Sequence, residues 1–258
     1  MSQFVIEQII IYPVKSLGGM AVSEATITGS GSLLGDREWI VTRPDGNLLW
    51  QGDIPRMTLL SAALDAGNLV LKGHDGSIGP QPMDAPGPYV TVHQDGYPLS
   101  GRDQGDAVAD WLTDQLGREC RLVRVGSEAH RWAGLNPIHA VSTVSLCVLN
   151  GRLLERGEAA VELERFRPNV VLSGTHAAFA EETVSKLQFD EASLSLREPC
   201  VRCELPNISL KDASRGKQPL KLIGAMSRER PAARPASFGT YCTAHGRHLR
   251  VGMSTPAT

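Results

Sequence analysis

Aromatic residues make up only 5% of this 258-residue chain, while glycines number 26 and prolines 16. So few large rings and so many turn formers favour short strands over long helices. No apolar run approaches the roughly 20 residues that a membrane-crossing helix needs, so no membrane partner is expected. An excess of charge of one sign is missing too, since 26 basic and 28 acidic residues leave a net charge of −2. That balance gives no basic footprint and argues against nucleic acid as a partner. The opening Met1-Ser2-Gln3-Phe4-Val5-Ile6-Glu7 lacks the basic-then-apolar layout of a secretory signal, which predicts an intracellular, cytoplasmic protein. The five cysteines are too sparse, and odd in number, for a disulfide scaffold. Reduced thiols are expected, with Cys120, Cys147 and Cys242 as small buried side chains. There is no P-loop, no dinucleotide fingerprint, no His-Glu-x-x-His and no Gly-x-Ser-x-Gly. The seven histidines show no metal-ligand spacing, and the chain has no internal repeat.

What is present is ordinary for a globular protein: 41% hydrophobic and 21% charged residues, with length enough for one large domain or two modest ones. Residues 4–11 are rich in β-branched side chains and stop at Tyr12-Pro13, which reads as a strand. The polar, glycine-containing loop Val14-Lys15-Ser16-Leu17-Gly18-Gly19 follows, then a second strand over 21–28. A lysine and a serine at such a loop tip can bind an oxyanion, although an exposed hairpin lysine is the plainer reading. Residues 33–41 read as a strand in which Arg37 alternates with Trp39 and Val41, so that its guanidinium points inward and needs an anionic partner. Further strands are expected at 48–51, 57–63, 69–71, 89–93, 97–100 and 121–125. One amphipathic helix is predicted over 103–116, capped by Asp103 and ended by Gly117. A polar loop with His130, Arg131 and Trp132 comes next. Residues 142–150 read as a hydroxyl-bearing loop running into a strand, with a short helix after Asn150. Arg165 and Arg167 flank Phe166 before a buried strand, and salt bridges to Glu162 or Glu164 are an even alternative to a binding role. Residues 192–197 alternate, 227–235 are rich in arginine and proline, and 238–242 with 248–252 suggest a last pair of strands.

The densest chemistry lies in Glu198-Pro199-Cys200-Val201-Arg202-Cys203-Glu204-Leu205-Pro206-Asn207. Prolines on both sides make it a rigid turn or strand end. The Arg202 guanidinium beside two thiols favours their ionised form, giving a nucleophile, a redox centre or a soft-metal ligand. Structural zinc needs four ligands, and this pair supplies half. A thioredoxin-like pair belongs at a strand-to-helix junction, and the surroundings here are prolines and strands. Both stay open as lesser readings, beside thiols that are simply packed and one thiolate holding a metal that brings most of its own ligands. The last requires cationic and hydroxyl-bearing loops for the cofactor's anionic tail, and Lys15, Ser16, Arg37, Arg165 and Arg167 are groups of that sort.

On these residues the sequence resembles MOSC-domain proteins over nearly its whole length. Ile11-Tyr12-Pro13-Val14-Lys15-Ser16 and Gly35-Asp36-Arg37-Glu38-Trp39 match an N-terminal β-barrel module. Arg165-Phe166-Arg167-Pro168-Asn169-Val170-Val171 and Pro199-Cys200-Val201-Arg202-Cys203 match the MOSC domain proper. The resemblance implies a mostly β (α+β) fold with few helices, a β-barrel module over 1–120 packed with a MOSC β-barrel domain over 121–258. It also implies a molybdenum cofactor of the molybdopterin type. Enzymes of the family similar to this chain reduce N-hydroxylated or N-oxide compounds. By the same resemblance Cys203 is the metal ligand, with Cys200 beside it. Lys15, Ser16, Arg37, Ser142, Thr143, Arg165, Arg167, Asn169 and Arg202 fall at or near the cofactor-binding positions. No iron–sulfur cluster is expected in this chain, so electrons would come from separate redox proteins. The alternative is a sulfur carrier, with a persulfide on Cys203 or Cys200 supplied by a sulfurtransferase, whose pyridoxal phosphate would belong to that partner.

Overall fold

Strand β1 (Phe4–Ile11) forms where the β-branched run predicts it and ends at Tyr12-Pro13. The computed structural model describes residues 3–80, 87–94, 96–130, 137–231 and 233–256. The stretch 21–28 is not one strand but two, β2 (Met20–Val22) and β3 (Glu24–Thr26). Of residues 33–41 only the end is extended, in β4 (Trp39–Thr42). The rest is a turn in which Gly35 and Arg37 have φ of +82° and +58°, so Arg37 reaches its place from a turn and not by strand alternation. Next come β5 (Leu48–Leu49) and a 3₁₀ turn, Pro55–Leu59, where a strand was expected. Proline at the first position of that turn presets its φ. β6 (Ser61–Asp65) and β7 (Asn68–Lys72) form a hairpin, and β8 (Tyr89–Gln94) and β9 (Tyr97–Asp103) another.

Helix α1 (Asp106–Leu116) buries Val108, Leu112 and Leu116 at helical spacing and ends at Gly117, φ +67°. Asp103 does not cap it. Its carboxylate accepts the Gly105 N–H at 2.8 Å and pairs with Arg121, the first residue of β10 (Arg121–Arg124). Arg131 and Trp132 lie outside the described residues.

The second half opens with β11 (Ile138–Ser142), and α2 (Thr143–Leu154) replaces the strand expected near Val148. Ser145, Leu149 and Leu153 are its buried face, four residues apart, a helical period that the β-branched neighbours obscure. Cys147 falls on the opposite face and is exposed, against expectation, whereas Cys120 and Cys242 are buried. β12 (Val170–Gly174), β13 (Lys186–Gln188) and β14 (Ala192–Val201) follow. Then come α3 (Leu220–Ser227), β15 (Ser237–Gly246) and β16 (His248–Arg250). The cysteine motif therefore sits at a strand end, as its prolines suggest.

The seven-stranded sheet runs β13-β14-β15-β11-β12-β1-β2, antiparallel except for β11 and β12, which are parallel across α2. The five-stranded sheet runs β5-β4-β10-β9-β8. Strands β1 and β2 thus lie in one sheet with strands from beyond residue 121. The last two strands do not pair with each other: β16 pairs with β3, and β15 with β14 and β11. The chain is mostly β with few helices, and no helix among the described residues is long and apolar enough to cross a membrane.

One core lies between β1, β12 and β13–β15 around Ile6, Leu172, Phe189 and Leu194. A second lies under α2 and α3 around Phe166 and Phe238, and a third under α1. Replacing the fully buried Phe189 by alanine should cost about 3–5 kcal/mol in urea unfolding. Leu154→Ala, on an exposed position of α2, should stay within about 0.5 kcal/mol.

Candidate functional site

The two sheets are joined where the chain leaves β1 and runs beside the start of β4. Lys15 N–H donates to the Trp39 carbonyl at 2.8 Å, Trp39 N–H to Pro13 at 3.0 Å and Arg37 N–H to Tyr12 at 2.7 Å. Against this junction lie the turn before β12 and the end of β14, and between them is a cavity of about 490 Å³. Lys15, Ser16, Arg37, Arg167, Asn169, Arg202 and Cys203 all line it. Four cations therefore face one cleft, and among the described residues no aspartate or glutamate lines it.

Asn169, fully buried, organises the floor. Its Nδ2 donates to the Ile10 carbonyl at 3.1 Å and to Asp36 at 3.0 Å, and its Oδ1 accepts from Arg37 at 3.0 Å and the His139 N–H at 3.3 Å. Arg37 also pairs with the buried Asp36. Arg167 donates from Nη1 to the Leu17 carbonyl at 2.6 Å and stacks over Tyr12, 4.3 Å from the ring centroid. Burial lowers the Arg167 guanidinium to about 10, which still leaves it charged at neutral pH. Its buried Nη2 and the buried Nε of Arg202 have no hydrogen-bond partner among the described residues.

The two cysteines of the motif differ. Cys203 is exposed on the cleft wall, whereas Cys200 is buried behind it. Arg202 donates to the Cys200 sulfur at 2.9 Å and to the Phe166 carbonyl at 2.9 Å. Burial alone would push the Cys200 thiol up, but the charges of Arg202 and His139 outweigh it and lower the thiol to about 6. Cys200 is thus a buried thiolate that neutralises Arg202 from behind. The Tyr241 phenol is pushed above its usual range by burial and by that thiolate.

The structure does not bring every expected residue to the cleft. Ser142 is fully buried and caps α2, its Oγ accepting the Val144 N–H at 3.1 Å. Thr143 donates to the Leu172 carbonyl at 3.3 Å. Arg165 pairs with Glu162 at 2.7 Å and lines a separate, smaller cavity. Conversely, His139, Phe166, Trp50, Gln94 and Tyr241 line the cleft without having stood out. Both His139 ring nitrogens lie 3.1 Å from backbone carbonyl oxygens, of Phe166 and Phe238. Its Nδ1 also lies 3.5 Å from Arg202 Nη1. Nothing in a lone sequence histidine signals that role.

No group of three or more His, Cys, Asp or Glu side chains among the described residues could hold a bare metal ion. The arrangement suits an anion that carries its own metal, with one exposed sulfur to complete the donor set.

Comparison with known proteins gives a consistent picture. Residues 3–119 match the MOSC N-terminal beta barrel domain and residues 127–254 the MOSC domain. Mitochondrial amidoxime reducing component 2 of Rattus norvegicus is 30% identical over 228 residues, covering 79% of this chain and 66% of that protein. Mitochondrial amidoxime-reducing component 1 of Homo sapiens is 32% identical over 227 residues, covering 79% and 66%. Molybdenum cofactor sulfurase of Oryza sativa subsp. japonica is 27% identical over 260 residues, covering 87% of this chain and 31% of that protein. The chain thus spans just under two thirds of the first two relatives and under a third of the sulfurase.

The Cys200 thiolate has a pH signature. Between about 6 and the ordinary 9.0 the unfolded thiol binds a proton that the folded one does not, so stability rises with pH across that window. Below pH 6 both states are protonated and the contribution is gone. Urea unfolding of wild type minus Cys200→Ser should show this rise, and a flat difference contradicts it.

Proposed function

Because the chain belongs to the MOSC family, we propose that its cationic cleft holds a molybdopterin-type molybdenum cofactor and that it reduces N-hydroxylated or N-oxide small molecules. The observation that carries this reading is the buried Nε–H of Arg202, a residue lining the cleft, which among the described residues has no partner, in a cleft those residues line with four cations and no acid. A buried donor left unmatched costs about 1–3 kcal/mol, so an anionic group that accepts from it is favoured twice, by charge and by hydrogen bonding. The volume of about 490 Å³ is also in the range of small-molecule and cofactor sites.

The chain's own residues divide the work. Lys15 and Arg37 supply charge, and Ser16 a hydroxyl donor, for the cofactor's phosphate. Asn169 fixes Arg37 by accepting from it, and Arg167 closes the cleft's inner wall. Arg202 donates to the anionic group while Cys200 behind it compensates its charge. Cys203 offers the exposed sulfur that binds the metal. Segments 1–120 and 121–258 supply the two sides of the cleft. When bound, the cofactor supplies the redox change by which an N–O bond is reduced, and separate redox proteins supply the electrons. Leu48, Trp50 and Val201 give the cleft an apolar flank for an organic substrate.

The exposure of Cys203 also favours a second reading, in which its sulfur carries a persulfide delivered by a sulfurtransferase. Protein purified from a cofactor-competent host discriminates the two. Under the first reading it contains molybdenum and releases a fluorescent pterin, and Cys203→Ser loses the metal while keeping its stability within about 0.5 kcal/mol. Metal-free wild-type protein with a persulfide on Cys203 supports the carrier.

A further inference from the structure

A second cavity, of about 270 Å³, lies on the far side of Arg167 from the cleft. It opens between the loop after β1, the 3₁₀ turn before β6 and the turn before β12. Arg167 and Leu205 line both cavities, whereas Tyr12 and Gln51 line only the second. The Tyr12 side chain is 2% exposed, yet its hydroxyl has no hydrogen-bond partner among the described residues. Two guanidinium groups lie over its ring, Arg167 at 4.3 Å and Arg37 at 5.2 Å from the centroid.

A buried hydroxyl without a partner in a cavity wall calls for a polar ligand atom. The adjoining charge of Arg167 specifies the sign of that atom, and burial, which raises the phenol to about 12, keeps the hydroxyl a donor at neutral pH. Ile10, Leu205 and Leu210 also line the cavity and need an apolar body. Glu164 on the lining disfavours a second negative charge. The volume is below the roughly 300–1,000 Å³ of drug-sized sites, so the ligand is small and no second pterin fits the class.

We propose that this cavity binds a small organic monocarboxylate, its carboxylate toward Tyr12 and Arg167 and its apolar body on Ile10, Leu205 and Leu210. The site is independent of the cofactor reading and stands if the cleft binds something else.

Calorimetric titration of the full chain with benzoate, its neutral isostere benzamide and inorganic phosphate tests this. Benzoate is expected to bind saturably, and benzamide and phosphate at least about tenfold more weakly. Tyr12→Phe keeps the ring and removes only the unpaired hydroxyl, so it should fold as wild type does and weaken benzoate by about tenfold. Leu210→Glu, which adds charge to the apolar wall, should abolish binding, and Cys203→Ser should leave it unchanged. Absence of saturable benzoate binding overturns the proposal, as does equal binding of benzamide or phosphate. Binding that survives Tyr12→Phe at full strength, or is lost in Cys203→Ser, places benzoate elsewhere and overturns it too.

Discussion

The carboxylate of Asp36 is the constraint on which the cleft depends. It is buried, accepts the Tyr12 backbone N–H at 2.9 Å and the Asn169 amide at 3.0 Å, and pairs with Arg37. Asn169 extends the knot to the Ile10 carbonyl and the His139 N–H. Stretches around residues 12, 36, 139 and 169 are thereby fixed to one another. Removing one partner strands several buried polar groups, each at about 1–3 kcal/mol, which makes the junction stiff. The cations of the cleft hang from that junction.

Stiffness matters because the cleft holds conformations a free chain avoids. Ser16, Arg37 and Arg167 have φ of +73°, +58° and +53°. Left-handed backbone at non-glycine residues costs of order 1–3 kcal/mol and persists only where the surroundings over-determine it. All three line the cleft, and the strain aims long cationic side chains where an ordinary turn would not. Tyr12 offers its electron-rich ring to both the Arg37 and Arg167 guanidinium groups and eases their crowding. On the opposite wall the Cys200 thiolate does the same for Arg202.

The mostly β character and most strands were legible, because β-branched runs broken by glycine and proline report directly on extended structure. The motif residues from Lys15 to Cys203 were legible as types, and seven of the expected residues do meet in one cavity. The misses share a cause, which is that local pattern competes with tertiary contact. Ser142 and Thr143 read as a binding loop, yet they begin α2, because Ser145, Leu149 and Leu153 bury a helical face. Asp103 reads as a helix cap but is claimed by Arg121 on the neighbouring strand β10. Arg165 and Arg167 look equivalent beside Phe166. Only the left-handed turn at Arg167 sends one to the cleft, while the other meets Glu162. His139 carries no local signature, since its two carbonyl partners come from residues 27 and 99 positions away.

The proposed role of the cleft comes down to one sulfur–metal bond. Molybdenum-edge X-ray absorption of the wild-type protein, purified with its cofactor, measures that bond directly. The account predicts one more sulfur neighbour than the cofactor's own dithiolene pair provides, contributed by Cys203. A spectrum fitted by the dithiolene sulfurs alone, with only lighter atoms beside them, would contradict it.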